Sequence, residues 1–424
     1  MRLTINEQRF LNTFTISSSI GTTDKGGLHR LALSNEDKQM RDIFKQWMEE
    51  DGLSVRIDDF GNMYGRREGK LKDAPAVAFG SHLDTQPTGG RFDGILGVLS
   101  ALEVIRVLND EQYMTDYPLE IINFTNEEGA RFRPPMLGSG GVAEVFDKNT
   151  IYSKTDDNGH LYEEALEAIG YKGNEENRLG QIKNFVELHI EQGPILEKEE
   201  KDIGIVSGIQ GMNWFNIEIK GATNHAGPTP MDSRKDSLAA AAEMIVRAHA
   251  LPNQFPGLLT TVGKVDNYPN VVNVVSGHTT IKLDIRHPND QVREAAIAQF
   301  KSDIEAIAAS SQVQVGITED WDSPTVHFDD EVLQAIETAS NRHGYSIHTM
   351  FSGPGHDAKY MSYLGKTAMI FVKSIDGVSH NEKELTLEHD LVKGTNVLLD
   401  VVLQLANQKY KEVKNEEVKT SLTN

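Results

Sequence analysis

A short apolar run that stops on a polar loop constrains this chain more than any other feature. Ala76-Val-Ala-Phe-Gly-Ser81 is small, apolar and β-favouring, which predicts a buried strand. His82 and Asp84 follow. Residues i and i+2 of an extended chain point the same way, so an imidazole and a carboxylate able to orient it stand side by side. A Thr/Pro/Gly loop leads to Asp93, after which Ile95, Leu96, Val98, Leu99, Leu102 and Ile105 recur at helical spacing. Asp93 therefore sits at or beside a helix N-terminus, where a carboxylate is favoured. Strand, polar loop, helix is how open α/β sheets build sites at their strand ends.

The pattern recurs. Leu119–Thr125 reads as a strand that stops at Asn126-Glu127-Glu128-Gly129, and Phe185–Ile190 as one that carries His189 and stops at Glu191-Gln192-Gly193. Before them, residues 1 to 52 read as helical, with Phe44, Trp47 and Met48 on one stripe closed by Asp51-Gly52, and residues 53 to 66 as strand, turn and strand. Residues 147 to 181 read as short helices and loops. The character changes near Gly211, where Phe215, Ile217 and Ile219 alternate with Asn216, Glu218 and Lys220. An Ala-rich helix (Asp236–Ala250), two strands (Leu258–Val265, Thr279–Arg286), a helix (Asp290–Ala309) and a strand (Val313–Thr318) complete a small α+β set. From Asp329 the chain returns to helix, strand and helix, with Met369–Val372 as a buried strand. Lys411–Asn424 is charged and expected to fray.

A chain of 424 residues is too long for one comfortable core. The expected organisation is an α/β catalytic domain made from 1–210 and 329–424, interrupted by an inserted α+β domain, 211–328, with a glycine-rich hinge near Gly208–Gly211. The formal net charge of −21 argues against nucleic acid and anionic membranes as partners. There is no cysteine, which removes disulfides, thiolate nucleophiles and Cys-based zinc sites. No apolar run approaches the ~20 residues of a membrane span, and Met1–Phe10 has no signal-peptide core. A cytoplasmic location is expected.

His82/Asp84, Asp93, Glu127/Glu128, His189 and His380 are the metal-capable groups that accompany the strand-like runs. Imidazole and carboxylate without thiolate suit zinc, manganese, cobalt or nickel. These groups are enough for two ions with one carboxylate bridging, and such a pair, ~3.5–4 Å apart, activates one water. In a Glu-Glu pair one carboxylate can bind metal while its neighbour takes the water's proton, and Asp84 would hold His82 from behind. Taken singly, each has a plainer reading: a histidine satisfied locally, or a solvated acidic pair. Several polar clusters placed where apolar strands stop argue for the joint reading.

Gly80-Ser-His-Leu-Asp-Thr, Gly89-Gly-Arg-Phe-Asp-Gly, Asn126-Glu-Glu-Gly-Ala-Arg-Phe, Glu187-Leu-His-Ile-Glu-Gln-Gly-Pro, His225-Ala-Gly-Pro-Thr-Pro-Met, Asp284-Ile-Arg, Ser352-Gly-Pro-Gly-His-Asp and Ser379-His-Asn-Glu-Lys-Glu together resemble one amidase family. It contains the N-carbamoyl-L-amino acid hydrolases, β-ureidopropionases and allantoate amidohydrolases, within the dinuclear metallopeptidase superfamily. The resemblance runs from about residue 5 to 408. It implies a mixed-sheet catalytic domain of zinc-exopeptidase type and a ferredoxin-like inserted domain. It implies His82, His189 and Asp93 on one ion, Glu128, His380 and Asp93 on the other, and Glu127 as general base. It also implies His225, Asn273 and Arg286 as substrate residues of the smaller domain, Gln192 and His356 as pocket residues, and a homodimer through the inserted domain. There, His225 and Asn273 reach the neighbouring subunit's site. Two positions depart from the family pattern: Pro354, where a small residue is usual, and Glu382, where proline is common.

The expected reaction is metal-assisted hydrolysis of the ureido C–N bond of an N-carbamoyl-L-amino acid. Glu127 serves as base, His225 stabilises the oxyanion, and Arg286 gives the substrate carboxylate a bidentate grip. The plainer reading of Arg286 is a surface ion pair. Allantoate amidohydrolase and β-ureidopropionase are the nearest alternatives. A dipeptidase or aminoacylase, or a non-catalytic binding protein of the same fold, stands further away.

Overall fold

The structure, a computed structural model, describes residues 3–407; the expectation for Lys411–Asn424 lies outside them. The chain forms two compact units, one made of the chain up to Ser207 and from Phe328 onward, the other of Gly208–His327.

The first unit is built on a mixed sheet. Its centre is four parallel strands in the spatial order Leu119–Phe124, Val77–His82, Asn184–Ile190 and Lys366–Val372. They are buried almost end to end, as near-continuous apolar runs must be when both faces are covered. The hairpin Ser54–Ile57/Met63–Arg67 adds antiparallel strands on one side, and Ile203–Ile209 pairs antiparallel with Lys366–Val372 on the other. The helix Ile95–Asp110 packs on Val77–His82 and against Glu388–Ala406, which in turn meets Asp330–His343. Every residue from Ile95 to Ile105 is buried, and Val107 and Leu108 continue the run. Burial on all faces is the signature of a core helix. Each such aliphatic side chain contributes about 1.5–3 kcal/mol.

Among the described residues, two strands longer than two residues escape the sequence reading. Ile203–Ile209 carries Gly204 and Gly208, which weaken a strand signal. Ile347–Ser352 mixes His, Thr and Ser with its apolar residues. The segment where a hinge is expected, Gly208–Gly211, begins inside a strand. Gly208 and Ile209 are hydrogen-bonded in a strand, opposite His327 and Val326, so the chain leaves and returns on a paired ribbon rather than a loose glycine loop.

The second unit is a four-stranded antiparallel sheet in the order Gln314–Ser323, Gly211–Lys220, His278–His287, Leu259–Tyr268. The helices Ser237–Ala250 and Asp290–Ser310 complete a β-α-β-β-α-β sequence. Asp236 and Asn289 cap them, each accepting a backbone N–H of the first turn. Phe215, Ile217, Ile219, Ile281, Leu283 and Ile285 from alternate strand positions meet Ala241, Met244, Phe300 and Ile304 from the helices in one core. A two-stranded ribbon sets Asn224–His225 against Val274–Val275. Among the described residues, no helix is long and apolar enough to cross a membrane.

Candidate metal centre

The four parallel strands of the first unit present their C-terminal ends together, and the polar groups lie there. His82 closes Val77–His82; Glu127 and Glu128 follow Leu119–Phe124; His189 is the penultimate residue of Asn184–Ile190; and His380 lies on the loop after Lys366–Val372. Asn126, Gln192 and His380 have φ of 58°, 57° and 53°. Left-handed conformations at non-glycine residues cost free energy and cluster at functional sites.

Asp93 is the centre of the arrangement. Its Oδ1 lies 3.1 Å from His189 Nε2 and 3.8 Å from His82 Nε2, and its Oδ2 lies 3.4 Å from His380 Nε2. His380 Nε2 is in turn 3.3 Å from Glu128 Oε2. Two donor trios result, His82–Asp93–His189 and Asp93–Glu128–His380, one on each oxygen of the shared carboxylate. Glu127 belongs to neither trio; its Oε2 is 3.5 Å from His82 Nε2. A third grouping, Glu187–His189–His356, has its donor atoms committed elsewhere: Glu187 accepts from Ser81 and from the Ala358 N–H, and His356 Nε2 meets Ser352 Oγ.

The backbone orients the imidazoles. His82 Nδ1 donates to the Asp84 carbonyl at 3.0 Å and His189 Nδ1 to the Ile190 carbonyl at 2.9 Å. That turns Nε2 of both toward Asp93, as the nitrogen each would offer to a cation; His82 Nε2 has no hydrogen-bond partner among the described residues, whereas His189 Nε2 lies 3.1 Å from the Gly94 N and from Asp93 Oδ1. The Asp84 carboxylate does not take the part expected of it. It is 3.9 Å from His82 Nδ1 and instead accepts the N–H groups of Glu127 and Glu128, each at 3.3 Å. The strand ends at His82, so the i, i+2 rule no longer holds at Asp84. Asp84 thus shapes the Glu127–Glu128 turn. Gly94, at φ 68°, permits the close approach of Asp93 and His82, because a Cβ there would overlap the His82 ring.

The electrostatics fit a bound cation. Burial, then Asp357 and Glu128, push Glu127 well above the usual carboxylate range. Burial and Asp93 push Glu128 up to about 8. Burial pushes His82 down to about 4, and its Nε2 is buried with no hydrogen-bond partner among the described residues. Burial would raise Asp93 too, but hydrogen bonds from His189 and His380 hold it well below its ordinary value. Crowded carboxylates and an orphaned imidazole nitrogen are what a divalent ion would neutralise and occupy.

The remaining expected residues fall in different places. Gln192 Nε2 donates to Asp93 Oδ2 at 2.8 Å, while its Oε1 is buried without a partner among the described residues. His356 is buried edge-on against His189, with ring centroids 4.5 Å apart, and its Nε2–H donates to Ser352 Oγ. The Ser352 hydroxyl passes its own hydrogen to the carbonyl of Pro354. In the second unit, His225 and Asn273 come together across the short ribbon, both exposed, with the Asn273 carbonyl accepting the Ala226 N–H. Arg286 lies on the strand His278–His287, where Nε and Nη2 grip Asp284, itself bonded to Trp214 Nε1. Glu382 accepts from Thr23 Oγ1 at 2.6 Å. The sequence reading misses Gln86, which donates through its backbone N–H and side chain to Glu128, and Glu384, buried beside Asp93.

Residues 78–404 match the peptidase family M20/M25/M40. An N-carbamoyl-L-amino-acid amidohydrolase of Rhizobium meliloti is 38% identical over 404 residues, covering 95% of this chain and 97% of that protein. An allantoate amidohydrolase of Escherichia coli is 34% identical, over 92% of this chain and 96% of its own length. The solved structure of a hydantoinase/carbamoylase-family amidase from Burkholderia multivorans superposes with a TM-score of 0.90 at 41% identity, covering 95% of this chain and 98% of that one.

Proposed function

The chain belongs to peptidase family M20/M25/M40, and from that premise we propose that it is a metal-dependent amidohydrolase cleaving the ureido C–N bond of an N-carbamoyl-L-amino acid. The products are the amino acid, ammonia and carbon dioxide. The observation that carries the reading is the Asp93 carboxylate, which faces one donor trio with each oxygen while Glu127 stands beside them uncommitted. His82, His189 and Asp93 would hold one divalent ion, and Glu128, His380 and Asp93 a second; zinc or manganese suits the donors best, with cobalt or nickel acceptable.

The bound ions would supply Lewis acidity and a water of lowered pKa. Glu127 takes the proton of the attacking water and delivers it to the leaving nitrogen. Gln192 Oε1, a buried acceptor without a donor among the described residues, suits a ureido N–H of the substrate. His225 and Asn273 donate to the carbonyl oxygen as charge develops on it. Arg286 holds the substrate carboxylate, in competition or in concert with Asp284.

Ammonia release from a substrate panel tests the assignment. Turnover of N-carbamoyl-L-amino acids is expected to exceed that of allantoate, β-ureidopropionate and dipeptides by at least about 100-fold in kcat/KM, the discrimination a site built on polar contacts supports. Preferential turnover of allantoate would make the second reading correct, the one favoured by the Escherichia coli relative.

The second unit also suits a homodimer. Leu259, Val265 and Tyr268 stand exposed on its edge strand, and Leu238 and Val246 on the helix Ser237–Ala250. A long bare edge with apolar side chains is a surface that natural proteins cover. We assign His225 and Asn273 to the partner's site. Mixing Glu127→Gln with His225→Ala chains then yields dimers with one site carrying both lesions and one carrying neither. Those mixed dimers are expected to recover about half of wild-type activity. Absence of recovery after confirmed subunit exchange would mean that each chain supplies its own His225.

A further inference from the structure

Four residues beyond His380, the Glu384 side chain reaches back to the loop that carries Asp93. It is 3% exposed. Its Oε1 accepts the backbone N–H groups of Phe92 at 3.1 Å and Asp93 at 3.2 Å. Its Oε2 lies 3.0 Å from Ser379 Oγ, which lies 3.0 Å from Asp93 Oδ2. The loop is shaped around this carboxylate, since a Cβ on Gly90 would overlap Glu384 Oε1. A carboxylate buried this deeply needs partners for its oxygens: Oε1 has the Phe92 and Asp93 N–H groups, and Oε2 shares the single Ser379 hydroxyl hydrogen with Asp93 Oδ2, so the two segments that flank the Asp93–His380 contact meet on this side chain. His380 itself has φ 53°, a conformation that persists when its surroundings enforce it.

We propose that Glu384 is a positioning residue that fixes the separation of Asp93 and His380. It thereby sets the affinity of the Asp93–Glu128–His380 trio for its cation while touching neither cation nor substrate. The proposal rests on reading that trio as metal ligands. Glu382, on the same loop, provides the contrast: it ties the loop outward, to Thr23 at 2.6 Å and Lys25 at 3.5 Å, away from the Asp93 backbone.

The test is a titration of metal-stripped full-length protein with Zn²⁺ against a chromogenic chelator, with thermal melts of the same metal-free samples. Wild type is expected to bind two ions. Glu384→Ala is expected to lose about 10–100-fold in affinity, the range seen when groups behind metal ligands are removed, and to lose more for one ion than for the other. Glu384→Gln keeps an acceptor for the Phe92 and Asp93 N–H groups and is expected to regain most of that loss. Glu382→Ala is expected to bind both ions as wild type does. If the alanine variant shows no cooperative melt, Glu384→Asp, one methylene shorter, is expected to lose about 10-fold. Wild-type affinity in the folded Ala or Asp variant, equal loss of both ions, or the same loss in Glu382→Ala would overturn the proposal. A wild-type chain that binds fewer than two ions would overturn the metal reading and the proposal with it.

Discussion

Glu127→Gln is expected to lower kcat by about 10²–10⁴-fold while leaving metal content at the wild-type level. The substitution keeps the size and the backbone contacts of the residue, including the N–H that the Asp84 carboxylate accepts. It removes only the basic oxygen, which lies 3.5 Å from His82 Nε2 yet outside both donor trios. KM should change little, because the lost proton transfer belongs to the transition state. The measurement is steady-state kinetics on metal-replete enzyme beside elemental analysis of the same sample. Loss of an ion in this variant would make Glu127 a ligand and reverse the division of labour between Glu127 and Glu128.

The second large effect is expected at Asp93. Asp93→Asn preserves the shape of the side chain but removes the charge that both trios share. Affinity for both ions should fall by more than about 100-fold, since changes one shell further out already cost 10–100-fold. Activity should fall with it even at metal concentrations that saturate wild type. Because Gln192 and Ser379 both bond to Asp93 Oδ2, at 2.8 and 3.0 Å, the amide retains partners and the fold should survive. Two ions bound at wild-type affinity would mean that Asp93 does not bridge.

Much of this candidate site can be read from the sequence because apolar strands stop where the candidate ligands begin. Val77–His82, Leu119–Phe124 and Asn184–Ile190 each carry their own signal, so His82, Glu127, Glu128 and His189 are located by the runs before them. His380 carries a weaker signal, being separated from the run Lys366–Val372 by a polar loop, and its family motif reinforces it. Glu384 is invisible for the same reason: one carboxylate in a polar loop looks solvated until the fold buries it. The Asp84 expectation assumes a strand that continues two residues further than it does. The Asp284–Arg286 pair is open to reading, since i and i+2 on a strand share a face. The alternation of Phe215, Ile217 and Ile219 locates the second unit's sheet, whereas the strand Ile203–Ile209 is concealed by its own glycines.

The strand order also dictates a schedule for synthesis. Lys366–Val372 lies in the middle of the sheet, hydrogen-bonded to Asn184–Ile190 on one side and Ile203–Ile209 on the other, yet it is made after the whole of Gly208–His327. A nascent chain that has released the second unit already holds His82, Asp93 and His189 but keeps an open slot in its sheet, with two strand edges bare. Closing that slot means pairing segments far apart in the chain, a slow, high-contact-order step. His380 arrives only with that closure, so the second trio is completed by the last central strand to leave the ribosome. A truncated product is left with half of the candidate metal centre and exposed edges that invite aggregation.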